Sequence, residues 1–323
     1  MSVLVTGGLG YIGSHVVRVL ELAGVEVIVV DDFSCGSSRQ PASDVVRLDL
    51  ASAEAAERLA ELMVDRDVTA VIHLAGRKQV EESVSRPLWY YRQNVDSVLS
   101  VLEAMVAAHV SQLIFSSSAA VYGAVAEPRV LEGHTLLPIN PYGSSKLMGE
   151  RVIEDAATSH GLRTVALRYF NVGGAGWPEL GDTGTSNLIP LVFGQVRAGE
   201  PAVVFGDDYD TRDGTCVRDY VHVLDLADAH VRALQYLLDG GASRSINLGT
   251  GTGTTVNELL RTIATASGRP FPIVERERRP GDSPVLVANN EMAREVLGWT
   301  PRYSLEDITR SAWQWHTSSN LLG

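Results

Sequence analysis

Tyr142 and Lys146 stand four positions apart in the run Asn140-Pro141-Tyr142-Gly143-Ser144-Ser145-Lys146, a spacing that puts both on one face of a helix. Asn140 suits an N-cap, and Pro141 suits the first helical position, where its missing N–H is an orphan in any case. A tyrosine is a weak base at neutral pH, because its free pKa is about 10. A lysine ammonium ~5 Å away, at an effective dielectric of ~20, favours the phenolate by about 3 kcal/mol, or roughly two pKa units. Burial opposes that push. The balance predicts a phenol near neutrality, where a general base works best. Ser118 closes the run Phe115-Ser116-Ser117-Ser118, at the strand end where open α/β sheets bind ligands. It is placed to help pass a proton from a substrate hydroxyl to Tyr142.

A second group lies at the other end of the chain. Thr6-Gly7-Gly8-Leu9-Gly10-Tyr11-Ile12-Gly13 follows a strand and opens a helix, so backbone amides and the helix N-terminus can face a pyrophosphate. Gly7, Gly10 and Gly13 permit the tight turn and the close approach that a Cβ would block. Asp31 lies 18 positions after Gly13. A carboxylate there can hydrogen-bond ribose hydroxyls and repels a 2′-phosphate, which favours NAD over NADP. The positive nicotinamide ring of NAD would push Tyr142 the same way as Lys146, and enters the balance that predicts a phenol near neutrality.

These groups act together only if a scaffold brings them together. Short β-branched runs at 3–6, 25–30, 45–48, 70–74, 112–116 and 164–169 read as buried strands. Helical spacing occupies 12–23, 53–64, 87–108 and 141–160 between them. The alternation implies right-handed βαβ units and an α/β fold of the Rossmann type, a doubly wound parallel sheet. After Tyr169 the pattern changes, with Gly, Pro, Asp and Thr dense at 172–184 and 206–214. Helices are predicted over 225–239 and 256–267, the second behind a capping box of Thr255 and Glu258. Ser304 and Asp307 open a last helix in the same way. The expected organisation is an NAD-binding domain over 1–170, followed over 171–323 by a smaller C-terminal α/β lobe, mainly substrate-binding, with some chain crossing back to the sheet.

Of the 323 residues, 45% are apolar and 20% charged, an ordinary globular balance. The net charge of -12 excludes bulk attraction to nucleic acid or to an anionic membrane. An anionic substrate therefore needs locally placed arginines. Cys35 and Cys216 are too few and too far apart for a disulfide framework or a zinc site, so reduced thiols and no metal are expected. No apolar run approaches a membrane span and no leader segment is visible, which points to the cytoplasm.

The chain resembles the UDP-glucose 4-epimerase family of the extended short-chain dehydrogenases/reductases over essentially its whole length. The resemblance is carried by TGGLGYIGSH at 6–15, HLAGRKQVEESV at 73–84, SSSAAVYG at 116–123 and NPYGSSKLMGE at 140–150. It continues in LRYFNVGGA at 167–175, FGDDYDTRDGTCVRDYVHVLDLADAH at 205–230, NLGTG at 247–251 and RRPGD at 278–282. It implies Ser118, Tyr142 and Lys146 as the catalytic group. For NAD it implies Gly7, Gly10, Tyr11, Ile12, Gly13, Asp31, Asp32, Phe33, Ser34, Asp49 and Leu50. To these it adds Leu74, Ala75, Gly76, Lys78, Asn94, Ser116, Tyr142, Lys146 and Phe170. For a UDP-sugar it implies Lys78, Ser118, Tyr142, Asn171, Asn187, Leu188, Val203, Phe205, Arg218, Arg279, Asp282 and Leu286. Arg218 and Arg279 are then the local cations that an acidic chain needs for a diphosphate. The implied activity is interconversion of UDP-galactose and UDP-glucose through a transient 4-keto sugar, with NAD regenerated each turn.

Other readings share parts of this pattern. A nucleotide-sugar 4,6-dehydratase must also eliminate water, and the resembling dehydratases place Asp-Glu just after the strand serine. Ala119 and Ala120 stand there and transfer no proton. UDP-N-acetylhexosamines, UDP-pentoses and UDP-glucuronate remain as other sugars. Some resembling epimerases carry a tyrosine where this chain has Leu286, and a smaller residue is associated with room for an N-acetyl group. Leu286 is intermediate. A non-catalytic NAD-binding regulator has no need of Tyr142 and Lys146. Resembling enzymes are commonly homodimers that pair the helices 87–108 and 141–160. Ala104, Ala107, Ala108, Ala156 and Ala157 suit that interface or burial against the sheet.

Overall fold

The computed structural model describes residues 1–34, 44–184, 187–279 and 282–318. Cys35, and Pro280 and Gly281 of the RRPGD stretch, lie outside the described residues. The chain begins β1 (Ser2–Thr6), α1 (Tyr11–Leu22), β2 (Glu26–Asp31), β3 (Asp44–Arg47), α2 (Ala55–Asp65) and β4 (Val68–His73). It continues α3 (Val80–Ser85), α4 (Pro87–Tyr91), α5 (Ser97–Ala107), β5 (Gln112–Ser118), α6 (Pro141–His160) and β6 (Arg163–Tyr169). Then come β7 (Asn171–Gly173), α7 (Leu188–Ala198), β8 (Ala202–Phe205), β9 (Val217–His222), α8 (Val223–Leu238) and β10 (Arg244–Leu248). The last elements are β11 (Gly253–Thr255), α9 (Val256–Ser267), β12 (Ile273–Arg276), β13 (Val285–Leu286), α10 (Glu291–Leu297) and α11 (Leu305–Ser318).

Seven parallel strands form the main sheet in the order β10-β6-β5-β4-β1-β2-β3. The order reverses between β1 and β4, and the crevice outside their carboxyl ends is where such sheets hold ligands. Helices cover both faces, so β1 is buried along its whole length. Val16, Val17 and Leu20 of α1 pack with Leu226 and Leu237 of α8 on one face. Leu59 and Met63 of α2 pack with Val101 and Met105 of α5 and Ile153 of α6 on the other. Each such side chain contributes about 1.5–3 kcal/mol by leaving water.

One element differs from the pattern in the sequence, and another shows which part of the later chain crosses back to the sheet. The helix expected over 87–108 is broken into α4, a π turn over Arg92–Asp96 and α5. The π turn carries Asn94 inward, where its amide meets the Arg77 backbone and Ser145. The strand β10 belongs to the main sheet, beside β6, and its Ile246 and Leu248 are fully buried. Chain beyond residue 171 thus supplies one edge strand and the helix α8 to the first layer system.

The remainder forms the smaller lobe. There β9 pairs with β7 and β13 in parallel and with β11 antiparallel, while β8 pairs with β12. Helices α7, α9 and α11 close over them around Phe193, Val204, Leu260 and Ile308. Among the described residues, no helix is long and apolar enough to cross a membrane.

Candidate active site

The glycine loop sits at the carboxyl edge of β1. Gly7 has left-handed backbone (φ 69°), and a Cβ there would stand 2.6 Å from the Ala75 nitrogen. At Gly13 a Cβ would stand 2.1 Å from the Gly7 carbonyl oxygen. Only glycine lets β1, α1 and the Leu74–Gly76 loop approach this closely. Helix α1 then opens at Gly10 with no side-chain cap and no acidic residue in its first turn, so its amides remain for an anion. Asp31, at the end of β2, accepts hydrogen bonds from the Leu9 amide at 3.0 Å and the Phe33 amide at 2.9 Å. Each carboxylate oxygen keeps a second lone pair for a ribose hydroxyl. Burial pushes the Asp31 carboxyl up, against the pull of those two amides.

A cleft of about 640 Å³, part of it open to solvent, begins at this loop. Gly7, Gly10, Asp31, Asp32, Ser34, Asp49, Leu50, Leu74, Ala75 and Gly76 line it, together with Val30, Leu48 and Ala51. Glycine backbone, carboxylates and aliphatic walls together suit the chemistry of an adenosine diphosphate half. Arg77, Gln93 and Ser97 also line it, and residue spacing did not single them out. Arg77 reaches across to Asp32 at 2.8 Å and to the Ser34 hydroxyl at 2.6 Å. The only sequence signal for it was its place in the HLAGRK stretch directly after a strand.

Several residues expected at the NAD site do not line this cleft. Ile12 is packed into the core, Gly13 is buried under the loop and Phe33 is turned outward. Tyr11 donates its hydroxyl to the Gly174 carbonyl at 2.6 Å, tying α1 to the smaller lobe. Lys78 lies 3.9 Å from Asp182 and near the Tyr11 ring. Asn94 holds the Arg77 backbone through the 2.7 Å bond to its amide. Phe170 is buried with Ala119, Tyr122 and Ala288.

The catalytic candidates meet where α6 begins. The Asn140 side-chain carbonyl accepts from the Gly143 amide at 2.9 Å, with Pro141 in the first turn. Gly143 presses against the turn Ala119–Val121 that follows β5, where a Cβ would stand 2.5 Å from the Ala120 oxygen. That contact brings Tyr142 near Ser118, whose hydroxyl favours the phenolate. Lys146 is buried, donates to the Ser116 carbonyl at 2.8 Å and lies over the Phe115 ring. Ser116 also takes the Tyr169 hydroxyl.

The electrostatics of the protein alone show the burial side of the balance expected at Tyr142, without the positive ring of NAD. Burial pushes Tyr142 above its usual value, and Ser118 only pulls it part of the way back. Burial also pushes Lys146 down, to about 8, with Glu150 opposing. In the protein alone, loss of water is the largest influence on both groups.

The smaller lobe gathers the candidates for a nucleotide diphosphate. Arg218 donates to the Val217 carbonyl at 2.9 Å and the Ser283 carbonyl at 2.7 Å, and its guanidinium is 3.5 Å from Asp282. Leu286 pairs with Arg218 in register and packs toward Ala119 and Phe170. Arg279 lies over the Phe205 ring at 3.9 Å and reaches Glu81, on the other side, at 3.7 Å. Val203 lies beside Phe205's strand neighbour Val204 in β8. Asn187 donates to Asp182 just before α7, Leu188 packs on the lobe core, and exposed Asn171 pairs in register with Tyr220 of β9.

Residues 3–249 match the model of the NAD dependent epimerase/dehydratase family. The chain is similar to a UDP-glucose 4-epimerase of Rhizobium meliloti, at 46% identity over 99% of this chain and 98% of that one. It is also similar to a solved UDP-glucose 4-epimerase of Brucella ovis in complex with NAD, at 42% identity and a TM-score of 0.92 over 97% of each chain. A UDP-glucose-4-epimerase of Stenotrophomonas maltophila, solved with NAD and formylated UDP-arabinopyranose, covers 100% of both chains at 40% identity and a TM-score of 0.95. With its glycine loop, its cleft and its Tyr142–Lys146 helix in this arrangement, the chain belongs to the NAD dependent epimerase/dehydratase family.

Proposed function

We propose that the chain is an NAD-dependent 4-epimerase that interconverts UDP-galactose and UDP-glucose. The observation that carries the reading is half-buried Tyr142 near Ser118, with buried Lys146 one turn along the same helix, at the sheet edge beside a cleft that fits NAD. The named relatives support the choice of sugar nucleotide.

In this reading the glycine loop and the first amides of α1 hold the NAD pyrophosphate, and Asp31 takes the adenosine ribose. Bound NAD supplies reversible hydride acceptance at the sugar C4, and its positive ring adds to the pull of Lys146 on the phenol. Tyr142 removes the 4-OH proton, Ser118 orients that hydroxyl, and Lys146 steadies the phenolate. Arg218 and Arg279 hold the diphosphate while the 4-keto sugar turns to offer its other face. Tyr142 then returns the proton. Residues 1–170 serve mainly the cofactor, and 171–323 mainly the sugar nucleotide. Ala119 is buried in the turn beside Ser118 and has no proton to give, which argues against a dehydratase. The exposed Leu88, Leu99 and Met148, on α4, α5 and α6, support a homodimer through these helices. Reduced, buried Cys216 supports a cytoplasmic location.

Turnover of UDP-galactose by purified protein, followed by NMR, tests the reading, with Tyr142→Phe as control. Conversion to UDP-glucose that the variant abolishes is the expected outcome. Turnover of UDP-N-acetylgalactosamine or UDP-glucuronate, without UDP-galactose, would move the assignment to another sugar and point to the space beside Leu286.

A further inference from the structure

Helix α6 carries one more charged residue on the face of Tyr142 and Lys146. Glu150 is a turn beyond Lys146 and is buried. Its carboxylate is gripped by Arg168 of β6, through bonds of 2.9 Å and 2.6 Å to its two oxygens, and takes the Ser117 hydroxyl as well. Arg168 is itself fixed. It donates to the Tyr122 hydroxyl at 2.9 Å and to the Glu132 carbonyl at 3.2 Å, and Tyr122 donates onward to Asn247 of β10 at 2.7 Å. Glu150 therefore has one position available to it.

An ion pair this deep is weak evidence for stability, because apolar side chains of similar volume serve as well. Its charges have another use at this place. Lys146 is a buried cation whose hydrogen bond goes to a neutral carbonyl. His73 of β4 faces it and is kept neutral, pushed down to about 3 by burial and by Lys146. Tyr169 of β6 faces the same serine, and Tyr90 of α4 faces Tyr142. Glu150 is the carboxylate whose field favours the ammonium.

We propose that Glu150, locked by Arg168, is a positioning residue for the reaction: it acts through Lys146, keeping the ammonium charged and seated on Ser116 so that it supports the Tyr142 phenolate. The proposal rests on Tyr142 and Lys146 being the reacting pair. The test is the pH profile of kcat/KM for UDP-galactose, measured on NAD-loaded enzyme, with thermal unfolding alongside. Glu150→Gln leaves two buried cations and no anion, so the alkaline limb moves down by about one pH unit. Arg168→Gln leaves the Glu150 charge to Lys146 alone, and the limb moves up. Glu150→Asp, which keeps the charge, brings the limb most of the way back. Should Gln at 150 fail to fold, the direction of the Arg168→Gln shift decides. Limbs that stay at the wild-type position, with activity falling only as stability falls, overturn the proposal. Full turnover by Tyr142→Phe or Lys146→Met would instead overturn the reacting pair itself.

Discussion

At the residue scale, Tyr142 sits in a place that favours its neutral form. If it is the base we propose, its usefulness depends on the cations of Lys146 and of bound NAD. Tyr142→Phe removes the proton acceptor and leaves the helix unchanged, so kcat is expected to fall by about 10²- to 10⁴-fold, the usual share of general acid–base catalysis. Co-purified NAD, read by absorbance after acid release, should stay near the wild-type level. Gly13→Ala should do the reverse. The added Cβ would stand 2.1 Å from the Gly7 oxygen, so the loop must open, and the expected result is loss of bound NAD. Full NAD occupancy in that variant would show that the loop does not carry the pyrophosphate.

At the element scale, helix starts set much of the local geometry. Helix α9 begins with a complete capping box, Thr255 accepting from the Glu258 amide at 3.0 Å and Glu258 accepting from the Thr255 amide at 2.9 Å. Thr255 also donates to Asp213 at 2.6 Å. Thr255→Ala should lower stability by about 1 kcal/mol, read as an earlier urea midpoint, with kcat per folded molecule unchanged. This box was legible in the sequence because every partner lies within four positions. The break of the 87–108 helix was not. The π turn there carries Asn94 onto Ser145, 51 positions away, and no local spacing encodes such a partner.

At the scale of the whole molecule, four buried histidines set an acid limit. Burial pushes His15, His222 and His230 down to about 4 and His73 to about 3. Their folded values lie below the unfolded value of about 6.5, so the unfolded chain binds more protons in between. The stability they contribute is present above pH 6.5 and is lost as pH falls toward 4. Each extra proton costs about 1.4 kcal/mol per pH unit. Burial raises Asp31, Glu132, Asp219 and Asp225, which act with opposite sign nearer the carboxylate range. The histidine loss is therefore read first, as a falling Tm from pH 6.5 downwards; a Tm flat from pH 7 to 5 would refute it. At the same scale, Leu88→Glu with Met148→Glu should convert a dimer into monomers in sedimentation velocity, since both side chains are exposed on neighbouring helices.

What the sequence alone determined was local. The glycine loop, the start of α6 at Asn140-Pro141, the capping box and the alternation of buried strands with helices each depend on neighbours within a few positions, where spacing and φ/ψ preference suffice. The family resemblance added an expected set of site residues, because those stretches are read in order along the chain. Tertiary structure alone decided three further things. It decided which part of the later chain crosses back to the main sheet, β10 and α8, since pairing with β6 depends on an edge that only the assembled sheet offers. It set Ala104 in the core while Ala107 faces outward, although both fitted either a dimer face or the sheet. It also set how strongly burial opposes the phenolate at Tyr142 and surrounded Lys146 with Ser116, His73 and Glu150. Desolvation depends on everything packed around a group, and these three residues come from three separate elements, β4, β5 and α6.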